Sequence, residues 1–371
     1  MNSISIIGAG IGGLALGNVL KQQGYDFTIY ESAPEIKPVG AGIMMAVNAM
    51  QIFDRLGLKE KIENAGNKIH GISITDQALK TISKTEVSAF ERKYNSCNVA
   101  IHRADLQSIL AEQIGFEHIR LNHPLQQIEK RDNYLLHFEG HSVESRIVFG
   151  TDGIKSKVRD QILKTGTPRK AGQKCWRGVT DFELPARFSH EAFEMWGKGK
   201  RFGFVQISEK KVYWYACINE KNFSRYVEPV DIFRDFDPLV LPIIEATAKE
   251  NIICNDLEDL APIPFWYCEN LCLTGDAAHA TTPNMGQGAC QAIEDAYVIG
   301  KLLEKNKDFN AVFEAFQKIR RKKVDDIVRT SRTIGNLSQW EHGNALRNFL
   351  MRLIPDSINQ KTVEKVIQLE I

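Results

Sequence analysis

Glycines at fixed spacing open this chain, and an acidic residue follows them. Gly8, Gly10 and Gly13 form a G-x-G-x-x-G pattern after the apolar stretch 3–7, and Glu31 follows a second apolar stretch. In such a pattern one glycine permits a tight turn, one admits a pyrophosphate and one lets a helix pack on a sheet. The N–H groups of that helix bind phosphate, and an acid roughly 20 residues further on binds ribose hydroxyls. These residues predict dinucleotide binding.

The elements around these residues fit that chemistry. Residues 3–7 and 27–30 are short and apolar, which indicates strands, and residues 14–23 have the pattern of a helix that ends at Gly24. Residues 1–31 therefore read as one βαβ unit. The alternative is a glycine-rich turn in an unrelated fold.

Two further motifs follow predicted strands. GTDG at 150–153 follows the strand candidate 142–149, and GDAAH at 275–279 follows the apolar stretch 271–274. PNMGQG at 283–288 then precedes a long predicted helix. In open α/β sheets, ligands bind at the carboxyl ends of the strands. We therefore expect the three glycine-containing loops to meet at one site.

Composition excludes several classes of protein. A chain of 371 residues suggests two domains, and a formal net charge of +1 gives no case for binding nucleic acid. The seven cysteines include no C-x-x-C pair and no zinc-ligand spacing, so we expect no metal. Reduced cysteines, no basic region at the N-terminus and no apolar run of ~18 residues favour a cytoplasmic protein without a spanning helix.

The middle of the chain differs from its ends. Aromatic and β-branched residues at 178–182, 202–207 and 212–218 indicate strands, and no crossover helix separates the last two. That arrangement predicts an antiparallel sheet. Residues 232–249 are predicted to be helical, with a turn at Pro238. A strand candidate at 125–128 and a helix candidate at 48–58 complete the elements that matter below.

Together these motifs resemble the single-component (group A) flavoprotein aromatic hydroxylases, nearest their urate and salicylate hydroxylase-like branch. GAGI at 40–43, HRADL at 102–106 and WRG at 176–178 also match that branch. The resemblance implies an α/β fold: a Rossmann-like (GR2-type) FAD-binding domain, an inserted, mostly antiparallel β-sheet substrate domain and a C-terminal helical segment. The predicted boundaries are 1–70, 100–171 and 263–330 for the FAD-binding domain, 71–99 and 172–262 for the substrate domain, and 331–371 for the helical segment.

The resemblance implies non-covalent FAD. Asp276 would accept hydrogen bonds from the ribityl hydroxyls, Arg103 would contact the phosphates or ribityl chain, and the Leu125 backbone would contact adenine. Asp152 is associated with both FAD and NAD(P)H use; its alternative role is to order the turn beside Arg159. The full set of predicted cofactor residues is Gly8, Gly10, Ile11, Gly12, Gly13, Glu31, Ser32, Gly42, Ile43, Arg103, Leu125, Asp152, Asp276, Pro283, Gly286, Gln287 and Gly288.

The implied activity is an FAD-dependent NAD(P)H monooxygenase. It would use O2 to hydroxylate a small aromatic or heteroaromatic substrate through a C4a-hydroperoxyflavin, as a monomer or homodimer. Only one dinucleotide fingerprint is present, which suits a nicotinamide that binds transiently as a co-substrate. The alternatives are another FAD oxidoreductase on the same scaffold, such as an isoprenoid reductase or a halogenase, and a non-catalytic FAD-binding module.

Two residues of the middle region match substrate-holding positions of the urate hydroxylase branch. Arg201 would neutralise a phenolate or carboxylate, and Tyr213 would stack on the ring or hydrogen-bond to it. The alternatives are an exposed turn charge for Arg201 and core packing for Tyr213. The urate enzymes carry an acid where this chain has Asn284, and an amide is no general base at neutral pH. Urate is therefore disfavoured, and a phenolic or heteroaromatic acid is the favoured substrate.

The C-terminal run 340–354 carries apolar residues at helical spacing, with Arg347 and Arg352 among them. We expect this helix to pack on the FAD-binding domain. A helix that lies on a membrane surface is the alternative.

Overall fold

The computed structural model describes residues 4–36, 41–224 and 226–370, without the side chains of residues 356 and 357. The strands are β1 Ile4–Ile7, β2 Phe27–Tyr30, β3 Gly42–Met45, β4 Asn67–Ile69, β5 Gly71–Asp76, β6 Thr81–Glu86, β7 Asn98–His102, β8 Ile119–Arg120, β9 Gln127–Lys130, β10 Tyr134–Phe138, β11 His141–Ser145, β12 Ile147–Gly150, β13 Pro168–Asp181, β14 Glu191–Trp196, β15 Lys200–Ser208, β16 Lys211–Asn219, β17 Ile253–Leu260, β18 Tyr267–Cys268 and β19 Leu271–Leu273.

Helices surround these strands and fill the C-terminal part of the chain. They are α1 Ile11–Gln22, α2 Val47–Arg55, α3 Lys59–Ala65, α4 Ser88–Tyr94, α5 Arg103–Ile114, α6 Pro229–Ile232, α7 Val240–Glu245, α8 Asp276–His279, α9 Gly288–Lys305, α10 Phe309–Ser338, α11 Asn344–Arg352 and α12 Asp356–Ile367. Within the described ranges, every helix is too short or too polar to cross a bilayer.

A six-stranded sheet, ordered β18-β19-β12-β1-β2-β8, lies under the glycine pattern. All neighbouring strands are parallel except the pair β18–β19. β1 and β12 are buried along their whole length because helices pack against this sheet. The ends of β1, β12 and β19 lie side by side, and each leads into one of the three predicted motifs.

A seven-stranded sheet, ordered β17-β13-β16-β15-β14-β5-β6, forms the second large layer. The central pairs β13–β16 and β15–β16 are antiparallel, as the sequence predicted, and only β14–β5 is parallel. Its strands come from two separate stretches of chain, 71–86 and 168–260. One face of this sheet carries an apolar core with α7. The other face carries Arg201, Tyr213 and Tyr215 beside two small apolar clusters, and we call it the polar face.

Two smaller three-stranded sheets complete the fold, ordered β3-β7-β4 and β11-β10-β9. The first joins the two layers, because Asn67 at the start of β4 donates hydrogen bonds to Gln206 of β15 and to Ser189. It also places Gly42 against the polar face of the large sheet.

Several predicted elements differ from the structure. The helix predicted at 232–249 forms only in part: the predicted turn at Pro238 is present, with Asp237 accepting the Leu239 N–H, but the helical residues are limited to the end of α6 and to α7. The predicted helix 48–58 ends early, since Gly57 adopts a left-handed φ of 71°. The strand predicted at 142–149 is two strands, β11 and β12. Leu125 precedes β9 instead of lying in it.

Candidate active site

The first loop leaves open space in front of the N-terminus of α1. Gly8 has φ of 106°, and a Cβ there would lie 2.7 Å from the Thr151 carbonyl oxygen. A Cβ on Gly13 would lie 2.0 Å from the Gly8 carbonyl oxygen, so only glycine lets the helix approach the turn. A Cβ on Gly10, by contrast, would have nothing within 4 Å. Ile11 is buried and Gly12 lies beside Ala292, so the loop exposes Gly10.

The carboxylate of Glu31 is held at the same edge of the sheet. One oxygen accepts the Ala9 N–H at 2.7 Å, and the other accepts the Ala33 N–H at 2.9 Å and the Ser32 hydroxyl at 3.0 Å. These bonds fix the side chain beside the glycine turn while leaving it half-buried. The carboxylate is therefore positioned to accept further hydrogen bonds from a ligand in the groove.

Asp152 and Asp276 lie at the ends of the two neighbouring strands. Asp152 Oδ2 accepts the Val158 N–H at 3.1 Å, while Oδ1 is buried and has no partner among the described residues. Burial raises the pKa of Asp152. Arg159, its predicted neighbour, donates instead to the carbonyls of Ile154 and Ala277.

Asp276 is the first residue of α8, after Gly275 with φ of 57°. Solvent reaches the Asp276 side chain, although protein atoms lie around it. The side chain therefore lines a deep groove. Burial raises the pKa of Asp276, while His279 and Arg103 oppose that rise. Burial likewise lowers the pKa of Arg103 against the pull of Asp276. Arg103 and Asp276 therefore face each other across this groove.

The loop 283–288 closes the groove from the side of α9. Pro283 and Gly286 are exposed, and Gly286 has a left-handed φ of 61°. A Cβ on Gly288 would lie 3.8 Å from Asp276 Oδ1, so the N-terminus of α9 opens next to that carboxylate. Gln287 points inward and accepts hydrogen bonds from Asn48 and Gln291. The free N–H groups of α9 can thus stabilise negative charge in the groove.

The polar face of the large sheet comes very near to β3. A Cβ on Gly42 would lie 2.4 Å from the Cβ of Tyr213, so glycine is required for this contact. Ile43 is half-buried beside it. Burial raises the pKa of Tyr213 above its usual range, so its phenol is a neutral hydrogen-bonding group at physiological pH.

Arg201 is fully buried, which rules out the alternative of an exposed turn charge. Its guanidinium donates to Glu194 at 3.4 Å, to Gln173 at 3.3 Å and to Asn284 Oδ1. Its Nε has no partner among the described residues. Burial, the largest single influence, lowers the pKa of Arg201, but Glu194 together with Cys217, Tyr215 and Cys175 outweighs it and holds the pKa above its usual range.

Sequence reasoning missed Glu194. This carboxylate accepts hydrogen bonds from the Trp196 indole and the Tyr215 hydroxyl in addition to Arg201. Its signal was an acid between Phe193 and Met195, in the middle of a strand that is apolar after its first residue. Asn284, which sequence reasoning treated only as a missing acid, uses both amide hydrogens: Nδ2 donates to Thr282 Oγ1 at 2.8 Å and to the Ser331 carbonyl at 2.7 Å.

Several neighbouring residues do not line the groove. Phe204 stacks on Phe193 in the apolar core of the large sheet, and Met45 is fully buried, whereas Met44 approaches Gly286. The Leu125 carbonyl accepts the Lys157 ammonium at 2.9 Å. His279 is buried and bonds to Asp295 at 2.6 Å; Asp295 also accepts from Arg320, so this histidine belongs to a structural network.

The residues at this edge fit an adenine dinucleotide with a flavin. The space in front of Gly10, the preorganised Glu31 carboxylate and the unpartnered Asp152 Oδ1 offer sites for pyrophosphate, ribose and a hydroxyl donor. Arg103 and the α9 N-terminus stand near Asp276 at the same edge. Fold and site together define a flavoprotein.

Comparison with known proteins agrees with the assignment to a flavoprotein. The family model described as FAD binding domain matches residues 1–236 and 265–331, and the chain belongs to that family. The chain is 35% identical over 370 residues to aurachin C monooxygenase/isomerase of Stigmatella aurantiaca, covering 97% of this chain and 96% of that protein. It is 31% identical to 2-heptyl-3-hydroxy-4(1H)-quinolone synthase of Pseudomonas aeruginosa, covering 98% and 97%.

The fold is also found among solved structures. That of HpxO of Klebsiella pneumoniae, complexed with FAD and uric acid, matches with a TM-score of 0.89 at 24% identity, covering 99% of this chain and 96% of that one. The chain is an FAD-dependent monooxygenase of the aromatic hydroxylase type, with NAD(P)H as the co-substrate typical of the family. These matches favour the monooxygenase over the reductase, halogenase and non-catalytic alternatives.

Proposed function

We propose that this monooxygenase hydroxylates a neutral heteroaromatic ring that carries a carbonyl or hydroxyl group, of the 4-quinolone type, and not an aromatic carboxylate. The observation that carries the proposal is the pairing of Arg201 with Glu194. This pairing departs from the sequence-based expectation, in which Arg201 is free to neutralise an acid.

The charge at the substrate face is balanced without a substrate. Glu194 is mostly buried and neutralises Arg201, while the two other acceptors, Gln173 and Asn284, are uncharged amides. A carboxylate brought into this site would lose its hydration and find no unpaired cation on Arg201, and such an uncompensated buried charge is costly. A neutral ring with one or two polar atoms avoids that cost.

The remaining polar groups suit a neutral ring. Tyr213 stays protonated and both donates and accepts hydrogen bonds, and the Arg201 Nε–H is left to donate to a ring carbonyl. FAD supplies the oxygen activation when bound, and the protein's part is to orient the ring and exclude water. The large sheet provides both functions, since its polar face covers the groove.

The similar proteins support this class. Aurachin C monooxygenase/isomerase and 2-heptyl-3-hydroxy-4(1H)-quinolone synthase are more similar to this chain than the urate hydroxylase of Klebsiella pneumoniae, which is 26% identical. The second of these names gives a quinolone as the product. The amide at Asn284 also agrees, because a neutral ring that is already electron-rich needs no carboxylate base at that position.

A substrate panel tests the proposal. Purified holoenzyme is mixed with NADH or NADPH and with a 2-alkyl-4-quinolone, 6-hydroxynicotinate or urate, and both hydroxylated product and H2O2 are quantified. We expect coupled product formation with the quinolone alone. Coupled hydroxylation of either acid, with the quinolone inert, contradicts the proposal.

The Glu194→Gln variant sharpens the test. It keeps the size of the side chain and one acceptor oxygen but leaves the Arg201 charge unbalanced. We expect the dissociation constant of 6-hydroxynicotinate, measured from the change in flavin absorbance on binding, to fall at least tenfold relative to wild type, about 1.4 kcal/mol, with little change in that of the quinolone. Glu191→Gln, a change of the same kind at the start of the same strand, is the matched control and leaves both dissociation constants unchanged.

A further inference from the structure

Helix α11 packs on the protein through its polar side. Arg347 is buried and donates to the carbonyls of Leu337 at 3.2 Å and Ser338 at 3.1 Å. Asn344 donates to the Gly197 carbonyl at 2.9 Å, and Arg352 donates to the Thr81 carbonyl at 3.0 Å. A surface helix of a globular protein normally does the reverse and turns its apolar stripe to the core.

The apolar side of α11 and its continuation face solvent. Residues 346, 349, 350, 353 and 354 recur at the three- and four-residue spacing of one helix face. Their exposed fractions are 60% for Leu346, 56% for Phe349, 54% for Leu350, 61% for Leu353 and 41% for Ile354; Trp340 at 44% and Ile358 at 53% stand at the two ends. We call these seven residues the α11 surface. A contiguous patch of this kind on a soluble protein marks an interaction site.

The charges around the α11 surface are positive. The sequence has no Asp or Glu from residue 342 to residue 355. Asp356 follows at the start of α12, and two acids near the other side chains are already paired: Glu341 with Lys221 at 2.7 Å, and Asp76 with Arg352 at 3.6 Å. Lys198 is exposed in the loop whose neighbours bond to Asn344 and Trp340.

The following helix adds to this positive charge. Lys361 and Lys365 are exposed on α12, and in the described parts of the chain neither forms an ion pair. The first turns of α12 lie close to the end of α11, since Asn359 donates to Ser83 while Arg352 donates to Thr81 on the same strand, β6. Cations thus stand at both ends of the α11 surface.

This pattern selects among possible occupants. A second copy of the chain would bring an equal set of cations against these, and like charges at an interface cost several kcal/mol. An anionic lipid surface complements both the apolar side chains and the cations. At nine residues, α11 is about 14 Å long, which suits a helix lying in the interface plane and not one that spans a bilayer.

We propose that the α11 surface docks this enzyme onto an anionic lipid bilayer, with α11 lying parallel to the membrane plane. We expected this helix to pack on the FAD-binding domain; instead its side chains bond to Gly197 and to Thr81 of the large sheet's strands and loops, and its apolar face is exposed. Docking brings one end of the substrate face near the lipid: Arg347 lies 5.1 Å from the Trp196 ring, and Trp196 donates to Glu194.

Vesicle co-sedimentation of the FAD-loaded full chain tests the proposal. Vesicles of phosphatidylcholine with phosphatidylglycerol are compared with vesicles of phosphatidylcholine alone, at low and high salt. We expect binding to the anionic vesicles that weakens with salt. Phe349→Glu and Leu353→Glu should each lower the partition coefficient at least tenfold. Phe116→Glu, at another exposed aromatic (57% exposed), is the matched control and should bind like wild type.

Two outcomes overturn the proposal. In the first, wild type fails to bind anionic vesicles, or Phe349→Glu binds as well as wild type. In the second, analytical ultracentrifugation finds a dimer that Phe349→Glu dissociates, which assigns the α11 surface to a second copy. Bound flavin absorbance, measured on each variant, verifies that the protein is folded. Because the readout is partition and not turnover, this test is independent of the proposed substrate.

Discussion

The two faces of the seven-stranded sheet have different roles, although residues that are adjacent in sequence supply both. One face packs into an aromatic core, and the other is the polar face. On β15, Phe202 is buried in an aromatic core while the preceding Arg201 lies on the polar face. On β16, Trp214 joins the same core while Tyr213 faces Gly42. Successive residues of a strand point to opposite faces, so a shift of one residue in register would turn the core residues to the polar face and the candidate site residues into the core. Core residues and candidate site residues therefore alternate along each strand but lie on opposite faces of the sheet.

The two faces are also stabilised by different interactions. The apolar face is held by ring contacts, such as the 5.8 Å stack of Phe202 on Trp214, and its one buried indole N–H donates to Thr247 at 2.8 Å. The polar face is held by the Glu194 carboxylate, on which Arg201, Trp196 and Tyr215 converge. A site preorganised in this way orients a substrate without having to order its side chains first.

The largest expected effect is on the apolar face. Phe202→Ala removes a fully buried ring and leaves a cavity, so we expect a loss of about 3–5 kcal/mol in the free energy of unfolding. Urea denaturation of the holoenzyme followed by tryptophan fluorescence measures it. At low temperature, where the Phe202→Ala variant is folded, its KM for the quinolone should equal that of wild type. A change in KM without a loss of stability would break the division between the faces.

Arg201→Met on the polar face should cost less, about 2–3 kcal/mol. Removing one partner of a buried ion pair usually costs about 3–5 kcal/mol, but Glu194 is partly exposed, so water reaches the carboxylate that is left unpaired and reduces the cost.

Urea denaturation of a double variant verifies this reasoning about Arg201. Arg201→Met/Glu194→Gln should recover most of the lost stability at pH 8, because no buried charge is left unpaired. A deficit that the double variant does not recover would mean that packing and not charge accounts for the loss.

The sequence predicted the parts of this molecule that depend on local pattern. The glycine turn, the acid after β2 and the aromatic strands β15 and β16 follow from spacing and side-chain type, and the antiparallel pairing followed from the missing crossover. Arg201 and Tyr213 were identified as candidates through the resemblance to the urate hydroxylase branch. Their contacts with FAD and substrate stay predictions, as do the domain boundaries.

What the sequence left open depends on contacts between distant strands. Glu194 meets Arg201 because β14 and β15 pair in one register, and no local pattern encodes that register. Asn284 reaches Arg201 from a loop 83 residues away in the chain. The side of α11 that faces the protein was also hidden, since amphipathic spacing identifies a stripe but not whether the protein covers it.

The smallest expected effect on stability comes from a substitution on the polar face, and it distinguishes the roles of the two faces most clearly. Tyr213→Phe removes only a hydroxyl that lines the groove, so the free energy of unfolding should change by less than about 1 kcal/mol. Its KM for a quinolone should rise about tenfold, which corresponds to about 1.4 kcal/mol of binding. Because burial raises the pKa of Tyr213, the phenol is neutral up to high pH, and the variant should not alter the pH profile of turnover below pH 9.

Trp214→Phe, one residue further along the same strand, is the matched partner of that change. It deletes the hydrogen bond to Thr247 and leaves a buried hydroxyl with one partner fewer, so about 1–3 kcal/mol of stability is lost while KM is unchanged. Both variants are examined by steady-state kinetics and urea denaturation. If the two faces are independent, Tyr213→Phe raises KM with little loss of stability, and Trp214→Phe loses stability with no change in KM. If Trp214→Phe raises KM as much as Tyr213→Phe does, the aromatic core positions the substrate face directly, because a packed core transmits small shifts through the sheet.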